Sequence, residues 1–186
     1  MSTSARTDSR LTYDDFLLFP DDGQRHELID GEHYVTPTPV LRHQRLLGRL
    51  HLAVANYLVA NPGHGEVLLS PFDIVFSKWD VVEPDLMFIA RDQYILTEKN
   101  IVGAPALVVE ILSPSTRKRD QNLKLRLFEK HGVREYWMVD PDHDTVTVDR
   151  LDEVGAFTRS GVFGVDAVLS TPLLPGWALP LGQLFA

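Results

Sequence analysis

No cysteine occurs in the 186 residues. The chain therefore holds no disulfide scaffold, thiolate nucleophile, zinc ribbon or iron–sulfur cluster. Long hydrophobic runs are also missing: Ala104 to Val109, interrupted by Pro105, falls far short of the ~20 residues a membrane span needs, so no membrane partner is expected. Residues 1–10 lack the apolar stretch of a secretory signal, which predicts a flexible tail and a cytoplasmic protein. There is no internal repeat, low-complexity tract, Walker glycine run or His-Glu-x-x-His, and Ser113 and Ser115 lack the glycines of a nucleophile elbow. What remains, residues 11–186, is enough for one hydrophobic core and too little for two ordinary ones.

Eighteen Lys and Arg against 26 Asp and Glu give a formal charge of −8, which favours solubility and speaks weakly against indiscriminate nucleic-acid binding. The distribution is uneven. Ser113 to Arg134 carries seven basic residues against Asp120 and Glu129, and Arg42, Arg45 and Arg49 lie in a second stretch free of acids. Such runs are either solvated faces or a contact surface for a polymeric anion.

Leu11 to Leu18 predicts a short helix, and His26 to Val35 a hairpin turning at Asp30-Gly31, with Glu27 and Ile29 on one strand face. Leu47, Leu50, Val54 and Leu58 form the apolar stripe of a helix over Leu41 to Ala60. Glu66 to Ser77 and Val81 to Ala90 read as strands, and Ala106 to Leu112, apolar on both faces except at Glu110, as a central strand covered on both sides. A helix is expected over Arg117 to His131, closed by Gly132, then strands at Glu135 to Asp140 and Thr145 to Leu151 and a proline-rich tail with one or two more. The order predicts an α/β or α+β fold with a mixed sheet flanked by helices.

Several residues are out of place unless chemistry or a counter-charge explains them. Glu110 on an apolar strand demands a cation or hydrogen bonds, because an isolated buried carboxylate costs several kcal/mol. Asp85, heading the apolar run Leu86-Met87-Phe88-Ile89, is either an ordinary strand-start residue or, with Glu110, part of an all-oxygen site for Mg²⁺ or Mn²⁺. At 100° per residue, Lys124 and Asp120 share a helix face with Leu123, Leu127 and Phe128, so Lys124 either meets a buried acid or snorkels to the helix edge. His43, on the inward stripe of the first long helix, is a satisfied core histidine or a contact behind the site. Glu27 either joins these acids or is an ordinary hairpin residue.

These pieces, His26 to Glu32, Pro37 to His43, Pro84-Asp85, Val109 to Ser115, Asp120 with Lys124, and Gly132 to Pro141 with Glu135-Tyr136-Trp137, resemble in their order and spacing the Uma-type family of restriction-endonuclease-like proteins, within the PD-(D/E)XK nuclease superfamily. The resemblance runs from about Tyr13 to Leu184. It implies a restriction-endonuclease-like sheet flanked by helices, with Mg²⁺ (or Mn²⁺) held by Asp85, Glu110 and the Ile111 carbonyl. The superfamily's usual lysine two residues after the glutamate is here Leu112, and Lys124 is the matching candidate from the following helix.

The implied activity is metal-dependent hydrolysis of phosphodiester bonds in DNA. Asp85, Glu110, Lys124 and Glu27 would be the catalytic set, with Lys124 orienting a water or offsetting charge and Glu27 positioning a second metal or water. Arg117, Lys118 and Arg119 would contact nucleic-acid backbone, with His43, Asp120 and Ser113 behind the site. The expected partner is nucleic acid, and a homodimer is admitted. Two readings of other classes stay open: a catalytically silent nucleic-acid or protein-binding module of the same fold, and a metal-dependent hydrolase of another phosphate ester.

Overall fold

Two prolines mark where the chain passes from one β-sheet to another, and the candidate site lies at that passage. The computed structural model describes residues 10–186. The expected tail, 1–10, lies outside the described residues except for Arg10, whose guanidinium sits 4.1 Å from the centre of the Trp79 ring.

After α1 (Tyr13–Phe16), the hairpin of β1 (Arg25–Ile29) and β2 (Glu32–Thr36) turns at Asp30 and Gly31, with φ of 52° and 75°. These left-handed angles are those a two-residue primed turn requires. Helix α2 (Leu41–Ala60) buries His43, Leu46, Leu47, Leu50 and Val54. The strands β3 (Gly65–Leu69), β4 (Ile74–Ser77), β5 (Asp80–Val82), β6 (Leu86–Ala90), β7 (Ile101–Val102) and β8 (Leu107–Ile111) follow. A π-helical segment, Arg119–Lys124, then runs into α3 (Leu125–His131). The chain ends with β9 (Glu135–Asp140), β10 (Thr145–Leu151), β11 (Phe157–Phe163), the short pair β12 (Val168–Leu169) and β13 (Leu179–Pro180), and α4 (Leu181–Phe185).

The larger sheet has the order β11-β10-β9-β8-β6-β3, and the smaller β2-β1-β5-β4-β7. Among the described residues only β8 with β9 and β4 with β7 pair in parallel, so both sheets are mixed, as expected. Parallel pairing of β8 and β9 requires a crossover, which the π-helical segment and α3 supply. The sequence reading of Glu66 to Ser77 and Val81 to Ala90 as single strands is corrected. Each run breaks at its proline, Pro71 or Pro84, where no N–H is available for a ladder bond. The chain leaves the larger sheet after β3 to form β4 and β5 in the smaller one, and re-enters the larger at β6. Asp85 occupies that point of re-entry.

Strand β8 divides the core. Val109 and Ile111 face α2 in a cluster with Leu50, Val54 and Trp137. Val108 faces the opposite side, packing in a second cluster that includes Ile29, Met87, Leu127, Phe128 and Tyr136. The period of two turns Glu110 to Val108's side. Glu27 shares Ile29's face of β1 in the same way, and Lys124 descends from the crossover, so all three are directed into one layer.

The expected helix Arg117 to His131 is corrected over its first turns, where π-helical hydrogen bonding runs from Arg119 to Lys124. A wider turn of this kind is common at functional sites and still leaves i and i+4 on one face. Asp120 and Lys124 are both buried, and Gly132 ends α3 in the left-handed conformation at φ 81°.

Asp80 ties the smaller sheet to α3. Its carboxylate accepts from the Asp30 amide at 2.8 Å, Ser77 Oγ at 2.9 Å, and Lys130 Nζ and His131 Nε2 at 3.0 Å each. Burial pushes this carboxyl up, but the bonds from His131, Asp30, Lys130 and Ser77 outweigh it and hold the group below its ordinary value. Asp80→Asn should therefore lower unfolding free energy in urea at pH 7 by about 3 kcal/mol, the scale of charge-assisted bonds to a buried acid. A depressed carboxyl contributes its stability above the unfolded-state value of about 4 and loses it as pH falls through the lower folded value. The gap between wild type and variant should accordingly narrow below about pH 4.

Candidate active site

The base of the site is a lysine between two acids. Lys124 Nζ donates to Glu110 Oε1 at 2.6 Å and to Glu27 Oε1 at 2.7 Å, and the ammonium-bearing residue is only 2% exposed. β1, β8 and the crossover helix each supply one member. Glu27 Oε1 also accepts from the Glu83 amide at 3.0 Å, while its Oε2 lies 3.4 Å from Arg119 Nη2.

Asp85 is held by three donors. Arg25 Nη1 bonds its Oδ1 at 2.9 Å, and the Ile111 amide and His43 Nε2 bond its Oδ2 at 2.8 and 3.0 Å. A carboxylate only accepts, so His43 presents a protonated Nε2 here. His43 therefore touches Asp85 from α2, and Ile111 contributes its amide to the same carboxylate.

Burial and neighbouring charge act differently on these acids. Burial pushes the Asp85 carboxyl up, but the His43 bond and charge, Arg25 and the Ile111 amide outweigh it and hold it at about 2. Burial also pushes Glu27 up, and Lys124 and Arg119 bring it below its usual value. For Glu110, burial prevails over Lys124, with Asp85, Asp120 and Glu27 adding repulsion, and the carboxyl lies well above the ordinary range. Lys124 is pushed down by burial and more strongly up by Glu110, Glu27 and Asp120, so it stays a cation.

The group opens onto a cleft of about 320 Å³ whose walls include Thr36 to Val40, Leu112 to Thr116, Asp85, Glu110, Asp120 and Lys124. Ser113 Oγ bonds the hydroxyls of Ser115 and Thr116 at 3.0 and 2.9 Å and shapes the turn on that wall. Asp120 is buried, and its Oδ1 has no hydrogen-bond partner.

The basic segment is dispersed by the fold. Arg117 is bound to Asp140 and Asp142 of the β9–β10 turn. Lys118 is exposed. Arg119 points inward, with Nη2 2.6 Å from Thr36 Oγ1 and its guanidinium 5.6 Å from the centre of the Tyr34 ring. Sequence reasoning missed Arg25 and the inward turn of Arg119. A signal for Arg25 existed, since period two places it on the Glu27 face of β1; Arg119's direction depends on the π-helical turn, which leaves no pattern in the residues.

Asp85 and Glu110 have the oxygen chemistry of a hard divalent cation. Among the described residues no three acidic or imidazole groups converge as a ready cage. Mg²⁺, however, is commonly bound by one or two carboxylates, with water and substrate phosphate completing its octahedron. Burial raises the Glu110 carboxyl, with Asp85, Asp120 and Glu27 adding repulsion, and a cation beside it would favour the carboxylate form. The donor set therefore fits the ion.

A mixed α+β fold with a lysine–carboxylate cluster in its cleft defines the class, and the comparisons with known proteins place it further. Residues 13–182 match Uma2, described as "Putative restriction endonuclease", and the chain belongs to that family. The fold is similar to a crystal structure from Anabaena variabilis described as "a putative nuclease belonging to DUF820": TM-score 0.79, 24% identity, covering 94% of this chain and 97% of that one. No curated protein matches the chain.

Removing the lysine while leaving its partners should be costly. Lys124→Met strands Glu27 and Glu110 in an apolar layer, and stability in urea should fall by about 3–5 kcal/mol. Adding Glu27→Gln to Lys124→Met should restore part of that loss rather than add to it, because the two residues form one charge unit.

Proposed function

We propose that the protein is a metal-dependent endonuclease that hydrolyses phosphodiester bonds in DNA. The observation that carries this reading is the meeting of Asp85, Glu110 and Lys124, from three separate elements, on the wall of one cleft. Family membership supports the nuclease class.

Asp85 and Glu110 would hold Mg²⁺ or Mn²⁺, with the Ile111 carbonyl as a third oxygen. When bound, the ion supplies Lewis acidity toward the phosphate and lowers the pKa of a water. His43 and the Ile111 amide fix the Asp85 carboxylate, so its direction is set before any ligand arrives. A lysine kept protonated by its neighbours cannot serve as a general base. Lys124 instead acts as a fixed positive charge, offsetting the negative charge that grows on the phosphate oxygens as the bond breaks. Glu27 holds that ammonium in place. Lys118, exposed and next in the chain to the cleft-lining Arg119, would be available to backbone phosphate, whereas Arg117 is held by Asp140 and Asp142.

One observation favours the silent binding module: both Asp85 oxygens are already engaged by protein donors. Supercoiled plasmid incubated with Mg²⁺, Mn²⁺ or EDTA separates the readings. Nicking is expected with metal and not with EDTA, and Asp85→Asn or Glu110→Gln should reduce it by about 10²-fold or more, the scale of losing one charge-stabilising group. DNA binding without cleavage under every metal condition would select the silent module, and cleavage of small phosphate esters alone would select the third reading.

A further inference from the structure

Arg25 is the cation that touches Asp85 from the cleft side, and its setting is unusual in offering it a second position. Its Nη1 is 2.9 Å from Asp85 Oδ1 and 3.4 Å from the Glu83 carbonyl oxygen, and its side chain is 20% exposed. Glu83 carries a buried carboxylate oxygen, Oε1, with no hydrogen-bond partner. Behind the Thr36 to Pro39 strap lies a second cavity, of about 470 Å³, lined by Arg25, Glu83, Asp85 and His43. Arg25, His43, Asp85 and the strap are shared with the main cleft. The guanidinium therefore stands at the junction of two spaces, with Asp85 engaged there and Glu83, on the wall of the second cavity, holding one carboxylate oxygen without a donor.

A buried acceptor without a donor costs free energy, as does a buried acid without a counter-charge. As placed here, the Arg25 guanidinium bonds Asp85 and the Glu83 carbonyl and leaves Glu83 Oε1 without a donor. We infer that Arg25 is a displaceable counter-ion for Asp85: it holds the carboxylate in the cation-free protein and moves to the Glu83 carboxylate when a divalent cation takes its place. The inference rests on the proposed metal site and deepens it, by assigning a positioning role to two residues that are not metal ligands in that account. Its physical content is a competition. The divalent cation must expel a resident monovalent one from Asp85, and Glu83 lowers the cost of that expulsion by receiving it. The opposite arrangement, in which Arg25 supports the site by neutralising excess acid, predicts weaker cation binding when Arg25 is removed.

Direct Mn²⁺ binding, measured by calorimetry or by the loss of free Mn²⁺ signal in electron paramagnetic resonance, tests this without any assay of cleavage. Arg25→Gln should bind Mn²⁺ about tenfold more tightly than wild type, the scale of one close charge pair. Glu83→Gln should bind it severalfold more weakly, and in the Arg25→Gln background the Glu83→Gln change should have no further effect, because its role exists only through the guanidinium. If Arg25→Gln does not fold, Glu83→Gln decides alone, and an unchanged affinity overturns the inference. Wild-type binding that is abolished by Asp85→Asn but equal or weaker in Arg25→Gln overturns the inference while leaving the metal site standing. No Mn²⁺ binding by any variant overturns both.

Discussion

The Lys124 ammonium, enclosed between Glu27 and Glu110, is the interaction to which the rest of the site is referred. Transferring an ion of that size from water costs several kcal/mol even after relaxation, so the lysine is tolerable only with close acids, and the acids only with the lysine. Because β1, β8 and the crossover helix each contribute one partner, the charge unit cannot form until the smaller sheet, the larger sheet and the helix are all in place. The apolar layer around it, including Val108, Leu127, Phe128 and Tyr136, removes water and makes the pairing stronger.

The seam between the sheets is what converts a structural ion pair into a site. Had the run from Val81 to Ala90 been a continuous strand, Asp85 would have been one more residue in a ladder. The break at Pro84 places it instead where β6 starts, close enough to β8 to take the Ile111 amide and close enough to α2 to take His43. Burial, with Asp85, Asp120 and Glu27 adding repulsion, then holds the Glu110 carboxyl well above its ordinary range.

Much of this was legible in the residues. Glu110 stood out because an acid interrupts a strand apolar on both faces, and Lys124 because a 100° rotation per residue brings it to the buried side of its helix. Those arguments depend only on local periodicity; the strand follows it, and the π-helical turn departs from it yet still leaves Asp120 and Lys124 buried together. The opening hairpin, the long helix and the β9 and β10 strands were readable for the same reason. The division of two strand-like runs between sheets was not, since Pro71 and Pro84 announce a break but not where the chain goes next. Arg119 was read as a surface cation from its basic neighbours, whereas the π-helical turn carries it under the strap to Thr36 and Glu27. Charge runs report composition, and side-chain direction within them is set by long-range packing.

The central claim is that Lys124 is a permanently charged bridge between two buried acids, and a ¹⁵N NMR titration of the lysine side-chain amines, with Lys124 assigned by substitution, tests it most directly. The account predicts that the Lys124 resonance shows a slowly exchanging ammonium that remains protonated after the exposed lysines have titrated, because Glu110, Glu27 and Asp120 favour the charged form more than burial opposes it. A Lys124 amine that loses its proton together with, or before, the exposed lysines would contradict the bridge and the electrostatic role built on it.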